Sequence, residues 1–213
     1  MLSKFFAFTA LLASAMSAFS HTVWIEPVGD KLLIRFAEPG SKFEKSPGHL
    51  DSLTAPAAFL VTSATNATPL EAPKKADHFL LVGASSTNVV CTETIFTVRG
   101  GRKPHFYARW QPAGGGAASP SLILDLVPTG KPGEVRAWFR GQPLGGAKAT
   151  LRTPDEEEQE ITADADGILR FKSSKSGQHL ITIAHHREPI GGFHYGRPYQ
   201  QTSHNAALTW HQP

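Results

Sequence analysis

The feature of this sequence that most constrains its fold is the scarcity of helical periodicity. No long stretch repeats its apolar residues every three to four positions, whereas short runs of β-branched and aromatic residues recur along the chain. Clusters of Gly, Pro, Asn and Ser separate these runs, as turns between strands require. The runs predict strands at residues 22–26, 31–37, 57–61, 78–82, 89–98, 105–110, 122–127, 134–140, 147–152, 160–163, 168–172, 179–184 and 206–210. The sequence therefore predicts an all-β chain.

A low-complexity segment divides these strands into two groups. Residues 113–120, rich in Gly, Ala, Ser and Pro, are typical of a linker. This predicts an N-terminal β domain at residues 21–112 and a C-terminal β-sandwich domain at residues 121–213. The strand count and spacing fit two small antiparallel sandwiches of the immunoglobulin-like or prealbumin-like kind. The long connection at residues 187–203, rich in Gly, Pro and aromatic residues, is predicted to be a functional loop.

The first twenty residues have the pattern of an export signal. Lys4 supplies a positive charge, residues 5–12 are apolar, and Ala18 and Ser20 place small residues at −3 and −1 of a cleavage site. The apolar stretch is too short to span a bilayer. We therefore expect residues 1–20 to be removed and the mature protein to begin at His21 in the periplasm or outside the cell. The alternative cut, after Ala18, would place bulky Met16 at −3.

Charge and cysteine content exclude several function classes. The chain has 21 Lys and Arg residues against 18 Asp and Glu residues. Such a balanced surface gives no electrostatic basis for binding nucleic acid or an anionic membrane. No second apolar span follows the signal, so we expect no membrane insertion of the mature chain. Cys91 is the only cysteine and lies in an apolar run, which predicts burial and excludes an internal disulfide.

Several segments resemble one known family. HTVWIEP, at residues 21–27, resembles the H-D-F-W-L-E-P start of the domain of unknown function 4198 family, with Thr22 where that family has Asp. In the second half the resemblance extends over LILDLVP, EVRAWFRGQPLGGAKATL, ITADADGILRF, SGQHLITIAH and HNAALTW. That family is associated with periplasmic components of cobalt and nickel uptake systems. The resemblance therefore implies a periplasmic metal-binding protein that serves a membrane metal transporter.

An N-terminal histidine has a chemistry that no internal histidine shares. After a cut before His21, the free α-amine and the ring Nδ1 can chelate one ion together, and a second histidine completes a histidine brace. These nitrogen donors suit nickel, cobalt, copper and zinc. The sequence thus predicts a divalent transition metal at His21: nickel or cobalt, as the resemblance implies, with copper as the competing ion. The alternative is a signal cut that happens to fall before an ordinary histidine.

Ten histidines occur in the chain, and several are candidates for the remaining ligands. His49 lies in the turn S-P-G-H, where side chains can converge. His105 and His78 each open a predicted strand. A second metal site or a metal-loading loop is predicted in the histidine-rich C-terminal part, with the candidates His186, His194 and His204. The alternative reading of all these residues is a solvated strand end or a solvated polar loop.

Three functions fit these features. The first is capture of nickel or cobalt for an uptake system, and the second is a plain extracellular binding or adhesion module. The third is a copper histidine-brace protein or oxidase. The sequence contains no nucleophile elbow, phosphate loop or dinucleotide fingerprint, so we predict that the chain is not an enzyme. No regular Cys or His spacing supports a closed zinc site.

Overall fold

The computed structural model describes residues 21–112 and 117–213, whose regular secondary structure is almost entirely β-strand. The strands of the first half are β1 (Thr22–Val28), β2 (Lys31–Ala37), β3 (Ala57–Ser63), β4 (Asn66–Leu70), β5 (Phe79–Leu81), β6 (Val89–Ile95) and β7 (Arg102–Gln111). Those of the second half are β8 (Leu124–Pro128), β9 (Glu134–Phe139), β10 (Gln142–Pro143), β11 (Lys148–Arg152), β12 (Glu158–Thr162), β13 (Ile168–Arg170), β14 (Gly177–Glu188), β15 (Gly192–His194), β16 (Arg197–Tyr199) and β17 (Gln201–Gln212). A short 3-10 helix, His49–Ser52, lies between β2 and β3.

The predicted all-β sandwich fold is confirmed. The predicted signal segment, residues 1–20, lies outside the described residues, as do residues 113–116 of the predicted linker. No helix among the described residues is long and apolar enough to cross a bilayer.

One large sheet joins the two halves of the chain. Its eight strands follow the order β12-β11-β14-β17-β7-β6-β3-β4, and the central pair β17 and β7 is parallel. Two smaller sheets accompany it, one formed by β1, β2 and β5 and the other by β8, β9, β10 and β13. The strands β15 and β16 form a separate hairpin.

The alternation along β7 shows where the two cores lie. Phe106, Ala108 and Trp110 belong to the core beneath the β1-β2-β5 sheet, whereas Tyr107 belongs to the core beneath the β8-β9 sheet. Successive side chains of a strand point to opposite faces, so the two cores occupy opposite faces of the large sheet. The domain division at residues 113–120 stays a prediction, and the large sheet takes strands from both sides of it.

The segment predicted as a long loop, residues 187–203, is largely strand. β14 continues to Glu188, β17 begins at Gln201, and the β15–β16 hairpin occupies most of the interval. The strands predicted at 179–184 and 206–210 are therefore too short. In β14 the apolar pattern ends at a bulge between Ile183 and His186, and in β17 it is preceded by a polar stretch. Backbone pairing between the two strands nevertheless continues beyond the bulge and along the polar stretch.

Two further strands, β4 and β10, are absent from the predicted set. β4 lies at the end of the large sheet and contains Pro69, which an edge strand tolerates because one side of its backbone needs no partner. β10 has only two residues, and the sequence predicts a turn there.

Candidate metal centre

His21 lies immediately before β1, whose register places Thr22 opposite Ala37 at the end of β2. The His21 ring packs against Phe36, with 5.1 Å between the ring centroids. After β2 the chain turns back along this strand, and the amide of Glu44 donates to the carbonyl of Phe36 over 2.9 Å. This backbone contact brings the Glu44 carboxylate to the imidazole of His21.

His49 opens the 3-10 helix, and Asp51 fixes the turn that carries it. The Asp51 carboxylate accepts hydrogen bonds from the Ser46 hydroxyl (2.8 Å), the Gly48 amide (3.0 Å) and the Lys74 ammonium (2.8 Å). These donors, Lys74 foremost, lower the pKa of Asp51 to about 2. A carboxylate that stays ionised near neutral pH therefore holds the turn in one geometry.

His21, Glu44 and His49 bring three metal-binding groups together. One ligand atom of each lies within 4.8 Å of the others. Oε1 of Glu44 is 2.6 Å from Nε2 of His21 and 3.3 Å from Nδ1 of His49. The other ring nitrogen of His21, Nδ1, faces Glu38, whose Oε1 is 3.8 Å away. The His49 side chain is 56% exposed, so the group is open to ions from solvent.

The charges of this group suit a cation. The hydrogen bond with His21 is the main cause that lowers the pKa of Glu44, His49 adds to it, and partial burial opposes both. Glu44 is therefore an anionic oxygen donor at neutral pH. Two imidazole nitrogens and one carboxylate oxygen match the ligand preferences of divalent first-row transition metals, and they leave coordination positions for further donors.

The other predicted ligands do not join a group of three donors among the residues that the structure describes. Each instead contacts a carboxylate or an aromatic ring. These contacts are His78 Nδ1 with Asp77 Oδ1 (2.6 Å), His105 Nδ1 with Glu93 Oε1 (3.3 Å), the His186 ring with Phe139 (4.3 Å) and the His194 ring with Tyr195 (4.5 Å).

His204 lies in a buried chain of hydrogen bonds. Its Nε2 is 2.9 Å from the Glu188 carboxylate, which Arg140 also contacts, and its Nδ1 is 3.0 Å from the Tyr107 hydroxyl. Because an ionised carboxylate can only accept, we assign the proton to Nε2, and Nδ1 accepts from Tyr107. Burial lowers the pKa of His204, although the hydrogen bond to Glu188 opposes this. Both ring nitrogens are thus engaged within the protein.

Glu44 is the member of the candidate centre that sequence analysis misses. It lies in the polar segment K-F-E-K-S-P-G-H, five residues before His49. A search for histidine ligands alone passes over it. The available signal is an acidic residue close in sequence to a candidate ligand in the same turn, and such residues are common in loops.

Comparison with models of known protein families gives no match to this chain. A search of curated proteins finds no significant relative either. The resemblance to the domain of unknown function 4198 family therefore stays a prediction.

Proposed function

We propose that the chain, once cut before His21, is an exported protein that binds a divalent nickel or cobalt ion and passes it to a membrane uptake system. His21, Glu44 and His49 hold the ion in this proposal. The observation that carries it is the approach of three ligand atoms to within 4.8 Å of one another. The choice of nickel or cobalt, the periplasmic location and the transporter rest on the sequence resemblance.

The arrangement favours capture over permanent incorporation of the ion. A closed structural site surrounds its metal with four protein ligands, whereas this group offers three and is open to solvent through His49. Exchangeable positions on the ion allow a partner to take it over. The same donors bind copper more tightly than nickel or cobalt in the usual affinity order, so selectivity would depend on which ion is supplied.

A titration of the processed protein with Ni²⁺, followed by calorimetry, tests the proposal. Glu44→Gln and His49→Ala remove one donor each, and we expect both to weaken binding by at least about tenfold. His78→Ala is the matched control, because His78 also contacts one carboxylate, that of Asp77, but belongs to no group of three donors among the residues that the structure describes. The control should bind Ni²⁺ as the parent does.

Two results would overturn this proposal. One is the lack of stoichiometric binding by the parent protein for nickel, cobalt and copper alike. The other is an affinity that stays the same in Glu44→Gln, His49→Ala and the His78→Ala control.

A further inference from the structure

A pocket of about 300 Å³ adjoins the candidate metal centre, and His21 and His49 form part of its wall. Aromatic rings make up much of its apolar surface. Phe36 lies 5.6 Å from Phe96 and 5.8 Å from Phe106, measured between ring centroids. A wall of this kind accepts a flat apolar group, since offset and edge-to-face contacts between rings are favourable.

The pocket is also lined by cationic side chains. Arg99 and Arg102 both line it, and neither forms an ion pair with an acidic residue in the described part of the chain. They face each other across a tight hairpin, where each backbone amide donates to the carbonyl of the other residue, over 3.0 and 3.1 Å. Gly100 and Gly101, both at positive φ, form the turn. Paired residues of a hairpin project to the same face, so the two guanidinium groups can act together.

Two more observations favour an anionic ligand in this pocket. His185 also lines it, and its pKa is lowered by burial and further by the charges of Arg102 and Arg187. The hydroxyl of Ser203, another lining residue, is buried and makes no hydrogen bond with any described residue. A buried polar group without a partner is costly, and a ligand oxygen would satisfy it.

We infer that this pocket binds a small organic dicarboxylate with a flat ring, which acts as a co-ligand of the ion at His21, Glu44 and His49. One carboxylate pairs with Arg99 and Arg102, and the ring lies on the phenylalanine wall. The other end of the molecule occupies positions on the ion that the three protein donors leave open. This inference rests on the proposed function for the ion, whereas the recognition of the anion by arginine does not.

Two probes of the same shape test the contact with the arginines and the contact with the ion separately. Pyridine-2,5-dicarboxylate can chelate an ion through its ring nitrogen and the neighbouring carboxylate. Benzene-1,4-dicarboxylate has the same charge and outline but lacks the nitrogen. Without metal, both should bind the processed protein with similar affinity. After loading with Ni²⁺, pyridine-2,5-dicarboxylate should bind at least about tenfold more tightly than before, whereas benzene-1,4-dicarboxylate should not.

Arginine variants identify the pocket. Arg99→Gln and Arg102→Gln should each weaken both probes by about tenfold, since each removes a charged hydrogen-bond donor, and should leave Ni²⁺ affinity within about twofold. Lys103→Gln is the matched control, because Lys103 lies over the Tyr199 ring and does not line the pocket. It should bind both probes as the parent does.

The outcomes distinguish the two proposals. Absence of saturable binding by either probe, or equal binding by the arginine variants and the control, would overturn the inference. Arginine-dependent binding without tightening by Ni²⁺ would overturn the co-ligand role. A protein that binds both probes through the arginines but no metal would refute the proposed function and leave the anion pocket in place.

Discussion

Nε2 of His21 lies 2.6 Å from Oε1 of Glu44, although 23 residues separate them in the chain. The backbone hydrogen bond between Glu44 and Phe36 creates this proximity, and the Asp51 turn adds His49 to the pair. The orientation of the His21 ring decides which of its two nitrogens faces which carboxylate. Nδ1, the nitrogen that can chelate together with a freed α-amine, faces Glu38.

The first prediction concerns the α-amine of the processed chain. Acetylation of the His21 α-amine turns it into an amide that no longer forms this chelate ring with Nδ1, and it introduces no new amine. The amine and Nδ1 can share an ion with Glu44 and His49 only if the His21 ring turns so that Nδ1 takes the place of Nε2 beside Glu44. For that arrangement we expect Ni²⁺ affinity to fall by at least about tenfold, because a chelate ring is lost while Glu44 and His49 remain. A competition titration against a coloured chelator measures this. Equal affinity of the free and acetylated forms would contradict ligation by the amine and assign the ion to the side chains alone.

The second prediction concerns the pH dependence of metal binding. Imidazole and amine nitrogens must lose their protons before they bind an ion, whereas Glu44, whose pKa is lowered mainly by its hydrogen bond with His21, stays ionised. Binding should therefore weaken as the pH falls below about 8 to 6.5, where free amines and imidazoles gain protons. Ni²⁺ titrations at pH 8, 7, 6 and 5 test this, and an affinity that stays flat over that range would exclude nitrogen ligands.

The third prediction concerns the turn that positions His49. Asp51→Asn keeps the size of the side chain but removes the charge that binds Lys74 and the Gly48 amide. We expect Ni²⁺ affinity to fall on the order of tenfold, as for other residues that orient a metal ligand.

Because the pKa of Asp51 is lowered from 3.8 to about 2, its contribution to stability is complete above pH 3.8 and disappears as the pH falls towards 2.

Asp51→Asn needs a comparison at another exposed aspartate. Asp155→Asn removes a similar ion pair, between Asp155 and Lys175, in the second half of the chain. It should leave Ni²⁺ affinity unchanged. An equal loss in both variants would mean that general destabilisation, and not the position of His49, causes the effect.

The fourth prediction concerns the buried and partly buried histidines. Burial is the main cause that lowers the pKa of His179, His186 and His204 in the folded chain. Unfolding exposes these imidazoles, which then titrate near pH 6.5, so the unfolded state binds more protons below that value. The free energy of unfolding should therefore decrease as the pH falls from 7 towards 5. Urea unfolding at several pH values measures this, and a stability that rises over the same range would contradict it.

Tyr107→Phe tests the hydrogen-bonded chain around His204 directly. The substitution removes the hydroxyl that donates to Nδ1 of His204 and leaves this buried acceptor without a partner. We expect a loss of about 1–3 kcal/mol in the free energy of unfolding. A stability equal to that of the parent would argue against the assigned hydrogen bond.

The fifth prediction concerns a buried ion pair between β7 and β8. The guanidinium of Arg109 donates to Asp125 through Nε (3.0 Å) and Nη2 (2.6 Å), and both side chains are almost fully buried. Asp125→Ala leaves the arginine charge without its partner, so unfolding should become easier by about 3–5 kcal/mol. Lys175→Ala, which removes an exposed pair, should have little effect. Similar effects of the two substitutions would contradict this account.

The strands were predictable wherever apolar side chains alternate. Lys31–Ala37 has the predicted bounds because Leu32, Ile34 and Phe36 fill the core from one face of the strand. The same rule misses the polar ends of β14 and β17. Backbone pairing continues there while the side chains serve hydrogen bonds, such as those of His204, instead of the apolar core.

The candidate centre was only partly predictable. His21 and His49 stand out by residue type and by their positions after the signal pattern and in a turn. Glu44 does not, because its role depends on how the chain folds back along β2, and no local pattern encodes that path. The role of the pocket arginines could not be predicted either, because the local sequence indicates only a Gly-Gly turn and not that the turn pairs Arg99 with Arg102 beside the pocket.

The most direct test of the central claim is the intact mass of the exported protein, measured together with its metal content after purification without chelators. We predict a chain that begins at His21 and carries about one equivalent of a divalent transition metal per molecule, most of which is lost in His49→Ala. A chain that begins at another residue, or a correctly cut chain that takes up no metal, would contradict the account.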